Sequence, residues 1–141
     1  MDGLIPQHIG FVVDGNRRWA KKHGLPTYEG HLAGYNSLKD VLIESLNRGV
    51  KYASAYVFST ENWKRTAEEV NNLMGLLLRV LESDVPIFVE NRIRLRVIGT
   101  REGLPKAVIK AIDRAEATTA DLDGGVLLLC LNYGGHLEIA A

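Results

Sequence analysis

An α/β fold, a mostly parallel sheet with helices on both faces, is what the sequence predicts, and three observations predict it. Four short runs of β-branched, aromatic and aliphatic residues alternate with segments whose apolar residues recur at helical spacing. The strand-like runs are apolar at successive positions, the pattern of strands buried on both sides. At 141 residues, 46% apolar and 24% charged, the chain is long enough to enclose a core and has an ordinary globular composition. Residues 1–141 therefore read as a single layered domain.

The elements follow in order. His8-Ile9-Gly10-Phe11-Val12-Val13 is a compact strand that stops at Asp14-Gly15-Asn16. Leu38, Val41, Leu42 and Leu46 mark a helix, and Gly49 supplies its stop. Ala53 to Ser59 is the second strand, rich in aromatic and β-branched residues. From Glu68 a helix carries Val70, Leu73, Met74, Leu76, Leu77, Val80 and Leu81, apolar nearly all round, and Pro86 should kink or end it. Arg94 to Gly99 is the third strand. Leu104 to Thr119 is a shorter helix, with Pro105 placed in its first turn. Val126 to Leu131, apolar throughout, reads as a central strand needing a neighbour on each side. Gly135 to Ala141 begins a helical pattern without a closing turn, so the fold is expected to be truncated at its C-terminus.

Seventeen Lys and Arg balance seventeen Asp and Glu, so the chain lacks the basic excess expected of a nucleic-acid binder. One cysteine, Cys130, permits no internal disulfide and no thiolate zinc cluster. The longest apolar stretch, Val126 to Leu131, is far too short to span a bilayer, and Asp2, Pro6 and His8 interrupt any secretory pattern. A cytoplasmic location is the expectation.

In open parallel sheets ligands bind beyond the carboxyl ends of the strands. Here the first strand is followed by Asp14-Gly15-Asn16-Arg17-Arg18-Trp19, the second by Thr60-Glu61-Asn62-Trp63-Lys64-Arg65, and the fourth by Asn132-Tyr133-Gly134-Gly135-His136. By itself the first segment also reads as a Gly turn with Asp14 or Asn16 capping the next helix. As a site, a helix opening after Gly15 aims free N–H groups at the strand's tip, and Arg17 and Arg18 add donors suited to phosphate oxygens. Asp14 fits such a site if a cation bridges carboxylate and phosphate, as Mg²⁺ does. Ser59, Asn62 and Arg65 form a polar face able to grip a diphosphate, although Trp63 also reads as a core anchor and Arg65 as a solvated charge. His31, taken to open the helix after Gly30, is a phosphate donor or a structural histidine.

No P-loop, dinucleotide fingerprint, nucleophile elbow or His/Cys metal spacing is present, and no Asp-Asp-x-x-Asp cluster. In this order, HIGFVVDGNRRWA, GHLAG, YVFSTENWKR, LRVIG and LNYGG resemble the cis-prenyltransferases, the family typified by undecaprenyl diphosphate synthase. The resemblance implies an α/β homodimer that condenses isopentenyl diphosphate onto an allylic diphosphate with a cis double bond, using Mg²⁺. It implies that Asp14 is the metal-binding aspartate, that Gly15, Asn16, Arg17 and Arg18 cradle the allylic diphosphate, and that Trp19 packs against them. His31 matches the histidine of the G-H-x-x-G motif. Ser59, Thr60, Glu61, Asn62, Trp63 and Arg65 match the loop that approaches isopentenyl diphosphate, with Asn62 at the position of the family's proposed proton acceptor. The product is a hydrocarbon that partitions to the membrane, and an enzyme handling it could sit peripherally at that surface.

A growing hydrocarbon needs an apolar channel. The helix from Val70 to Leu81 is a candidate wall beside Val57 and Phe58, and equally a plain core helix. Thr27, Thr66 and His136 stand where relatives usually have arginine, proline and arginine, and Arg17 replaces a common glycine. The family's downstream R-x-S-x-F-x-x-W block, which supplies the isopentenyl diphosphate pocket, is absent. The chain is therefore expected to hold the allylic half of the site. A non-catalytic subunit on the same fold would be expected to have lost the metal aspartate and the phosphate arginines, whereas Asp14, Arg17 and Arg18 are all present.

Overall fold

A computed structural model describes residues 5–12, 16–59 and 66–133. The elements are β1 (His8–Val12), α1 (Asn16–Lys22), α2 (Thr27–Asn47), β2 (Tyr52–Ser59), α3 (Ala67–Ser83), α4 (Val85–Glu90), β3 (Arg94–Ile98), α5 (Lys106–Thr119) and β4 (Val126–Tyr133). All strand pairs are parallel, in the order β1-β2-β4-β3. β4 lies between β2 and β3, the central position its unbroken apolar run predicts. It runs two residues past Leu131, to Tyr133.

Side chains alternate between the two faces of the sheet. Phe11, Ala55, Leu129 and Val97 share one row of the register and join a single core with α2, α3, α4 and α5. On the alternate positions Tyr52 and Ile98 are exposed and Ser54, Leu128 and Cys130 are half-buried. β3 is an edge strand, and α5 seals it. Leu95 N donates to Thr119 Oγ1 at 2.9 Å and Val97 N to Glu116 Oε2 at 3.0 Å, so amides that would otherwise offer a free ladder are satisfied by a helix.

Several expectations need correction. α2 begins at Thr27, well before Leu38, with Pro26 at its N-cap. Gly30 and Gly34 lie inside it, and Gly30 is buried on the helix that packs with α1. His31 therefore sits in the second turn of α2 and does not open it. α3 is one-sided: Leu73, Met74, Leu76, Leu77, Val80 and Leu81 are buried, while Asn71, Gly75, Arg79 and Glu82 are exposed. The polar residues recur on an outward stripe that the density of leucines obscures. α3 ends at Ser83, before Pro86, but Pro86 then sits in the first turn of the unforeseen α4. Pro105 is the N-cap of α5 and lies just outside its first turn.

The helix ends explain these boundaries. Thr66 Oγ1 accepts the Glu69 N–H at 3.2 Å, the acceptor half of a capping box, at the start of α3. Gly49, at φ 105°, ends α2 as predicted: its N–H bonds Leu46 O and the Val50 N–H bonds Ser45 O, each at 3.2 Å. Tyr35 on α2 donates to Asp84, in the elbow between α3 and α4, at 2.6 Å.

Candidate functional site

Parallel pairing with this register puts the carboxyl ends of β1, β2 and β4 side by side. Val12 pairs with Tyr56, which pairs with Cys130, and Ser59 pairs with Tyr133 at the last rung. The strand ends that the three polar segments follow in sequence thus lie on adjacent strands. That adjacency is the central feature of the site.

α1 is the element that follows β1. Its backbone begins at Asn16 and includes Arg17, Arg18 and Trp19. Its first turn holds no acidic residue, while Lys21 and Lys22 occupy the last. Lysines suit a helix C-terminus; a first turn carrying arginines leaves the positive helix end uncompensated, which favours an anion there. Arg18 is exposed, and Trp19 is 41% exposed. Trp19 stacks on His23 at 4.4 Å between ring centres, and His23 Nδ1 lies 2.9 Å from Trp19 O. The described ring partner of Trp19 is thus His23, one turn along the same helix. A Schellman turn closes α1: the Leu25 N–H bonds Ala20 O at 2.8 Å and the Gly24 N–H bonds Lys21 O at 3.2 Å.

His31 is half-buried in α2, with Nε2 shielded from solvent. Ser59 closes β2. The side chains of Asn16, Arg17 and Ser59 lie outside the described residues, as do Asp14, Gly15, Thr60, Glu61, Asn62, Trp63, Arg65 and His136. So do the side chains of Val57 and Phe58, expected beside the α3 wall. The structure therefore brings together the strand ends that precede these segments, and of the candidate residues it describes the side chains of Arg18, Trp19 and His31. Among the described residues no three His, Cys, Asp or Glu side chains converge to hold a metal ion. No described helix is long and apolar enough to cross a membrane.

Sequence reasoning overlooked His23 as the partner of Trp19. The four-residue spacing on one helix was the available signal.

The family described as "Putative undecaprenyl diphosphate synthase" matches residues 12–141. An isoprenyl transferase of Lactococcus lactis subsp. lactis is 48% identical over 136 residues, covering 96% of this chain and 56% of its own. A ditrans,polycis-undecaprenyl-diphosphate synthase ((2E,6E)-farnesyl-diphosphate specific) of Lactiplantibacillus plantarum is 45% identical over 135 residues, covering 96% and 52%. Among solved structures, lavandulyl diphosphate synthase from Lavandula x intermedia, in complex with dimethylallyl diphosphate, superposes with a TM-score of 0.94 at 32% identity, over 99% of this chain and 60% of that one. The chain spans about half the length of the curated relatives it matches.

Proposed function

The chain belongs to the prenyltransferase family of undecaprenyl diphosphate synthases, and on that footing we propose that it forms the allylic half of a site joining isopentenyl diphosphate to an allylic diphosphate. The product is a cis-polyprenyl diphosphate. The adjacency of the ends of β1, β2 and β4 supports this reading, because Asp14–Trp19, Thr60–Arg65 and Gly134–His136 follow those ends in sequence.

Arg17, Arg18 and the first-turn amides of α1 hold the allylic diphosphate, and Trp19 packs beside them. As the allylic C–O bond breaks, negative charge grows on those oxygens, where preformed donors stabilise it most. A single carboxylate that shares its cation with substrate phosphates is the usual magnesium arrangement, and Asp14 is that carboxylate. Bound there, Mg²⁺ would draw charge from the leaving diphosphate. His31 supports this edge from the second turn of α2. Ser59, Thr60, Glu61, Trp63 and Arg65 approach isopentenyl diphosphate. Asn62 orients or relays: a carboxamide is a very poor base, so the proton lost on condensation ends on the released diphosphate. A homodimer in the cytoplasm, releasing its product to the membrane, completes the proposal. A non-catalytic subunit is disfavoured by the presence of Asp14, Arg17 and Arg18.

Calorimetric titration with farnesyl diphosphate and magnesium tests this. The wild-type chain should bind, and Asp14→Ala or chelation of magnesium should weaken binding at least about tenfold. Binding unchanged by both would remove the metal assignment.

A further inference from the structure

α1 and the turn that closes it present a surface that the proposed chemistry leaves unused. Ala20 is 1% exposed, on the side of α1 that packs with α2. Arg18, Trp19, Lys21, Lys22 and His23 on the remaining flanks are all exposed. The Schellman turn folds the chain back at the end of α1, and Leu25 there is 41% exposed, as much as Trp19.

Cations and apolar surface coincide at this place. From Gly15 to Tyr28 the sequence holds Arg17, Arg18, Lys21 and Lys22 and no acid, although charge balances over the whole chain. No ion pair among the described residues engages Lys21 or Lys22. By contrast, exposed Val41 shares its groove on α2 with Asp40 and Glu44, and exposed Val89 adjoins Glu90.

That chemistry suits the headgroup layer of an anionic bilayer. The indole and the leucine enter the apolar boundary there, while the lysines keep their ammonium groups among the phosphates. A nucleic acid would engage the cations but has no apolar layer to receive Leu25. His23 fixes the indole in advance: its ring stacks at 4.4 Å and its Nδ1 lies 2.9 Å from Trp19 O, so little freedom is lost on contact. No described helix can cross the membrane, so the contact is one of surfaces.

We propose that Trp19, Lys21, Lys22 and Leu25 form the surface by which the chain docks on an anionic lipid bilayer. The docking stands on this surface itself; its use, delivery of a polyprenyl product to the membrane, rests on the prenyl diphosphate reading above.

The test is co-sedimentation of the 141-residue chain with vesicles of phosphatidylcholine and phosphatidylglycerol, against vesicles of phosphatidylcholine alone. The wild-type chain should bind the mixed vesicles at least about tenfold more tightly than the neutral ones, and lose that preference as salt is raised. Lys21→Gln combined with Lys22→Gln should weaken binding to mixed vesicles roughly thirtyfold, each cation near an anionic surface being worth about fivefold. Leu25→Ala should weaken it about threefold. Both variants should titrate with farnesyl diphosphate and magnesium as the wild type does. No binding, equal binding to the two kinds of vesicle, or an affinity unchanged by the paired lysine substitution overturns the proposal. So does Leu25→Ala binding like wild type, which reduces the surface to a site for any polyanion. A chain that docks as stated but binds no farnesyl diphosphate loses the prenyl diphosphate reading and keeps this surface.

Discussion

Gly24, at φ 68°, is the residue on which the closure of α1 turns, since the Schellman bonds form only when this position is left-handed. A Cβ built there meets nothing within 4 Å, so the penalty for a side chain is purely conformational. Gly24→Ala should cost about 1 kcal/mol and lower the melting temperature by a few degrees in a calorimetric scan. Tyr35 illustrates the opposite case, in which partners decide everything. Burial, then the bond to Asp84, push its phenol well above the ordinary value of 10.0. The folded state holds this proton more tightly than the unfolded state does. Its contribution is therefore complete below about pH 10 and is lost as pH rises above it, by up to about 1.4 kcal/mol per pH unit. Tyr35→Phe should cost about 1–3 kcal/mol at neutral pH and flatten the alkaline limb of stability followed by urea denaturation. The pairing was not legible in the sequence, because Tyr35 and Asp84 are 49 residues apart and nothing local links them.

Helices show how far periodicity reaches. The leucine spacing of α3 and the stop at Gly49 could be read directly, since both depend on neighbours within a turn or two. The early start of α2 could not: Gly30 and Gly34 weaken a helix in isolation, and packing with α1 retains them. The Thr66 cap is local, set by Thr66 and the Glu69 N–H three residues on, at a position where relatives usually have proline. α5 shows a function for a helix beyond covering core. Thr119 is 0% exposed and its hydroxyl accepts the Leu95 N–H while donating to Ala115 O at 3.0 Å. Thr119→Val preserves shape and orphans that amide, so it should cost about 1–3 kcal/mol in urea unfolding and speed hydrogen exchange at Leu95.

For the whole molecule, the strand order matters more than any one contact. β1, β2 and β4 are contiguous, so the strand ends that lead into the DGNRRW, FSTENW and NYGG segments lie side by side although they stand far apart in sequence. Much of the relatives' length lies beyond what this chain covers, and the block expected to bind isopentenyl diphosphate is not in it. The chain supplied with magnesium, farnesyl diphosphate and radiolabelled isopentenyl diphosphate should accordingly give no butanol-extractable labelled product, while still binding farnesyl diphosphate. Label in the butanol phase would show that the allylic half suffices.

By itself the order of residues determined the class of fold, the four strands among the described residues, the stop of α2 and the motifs on which the family resemblance rests. Each depends on spacing or turn preference within a few positions. The tertiary structure alone decided that the neighbours of the central β4 are β2 and β3, that α5 seals the edge of β3, and that Tyr35 meets Asp84. The physical reason is that parallel strands pair through backbone groups common to every residue, and buried polar groups find partners by folding rather than by proximity along the chain.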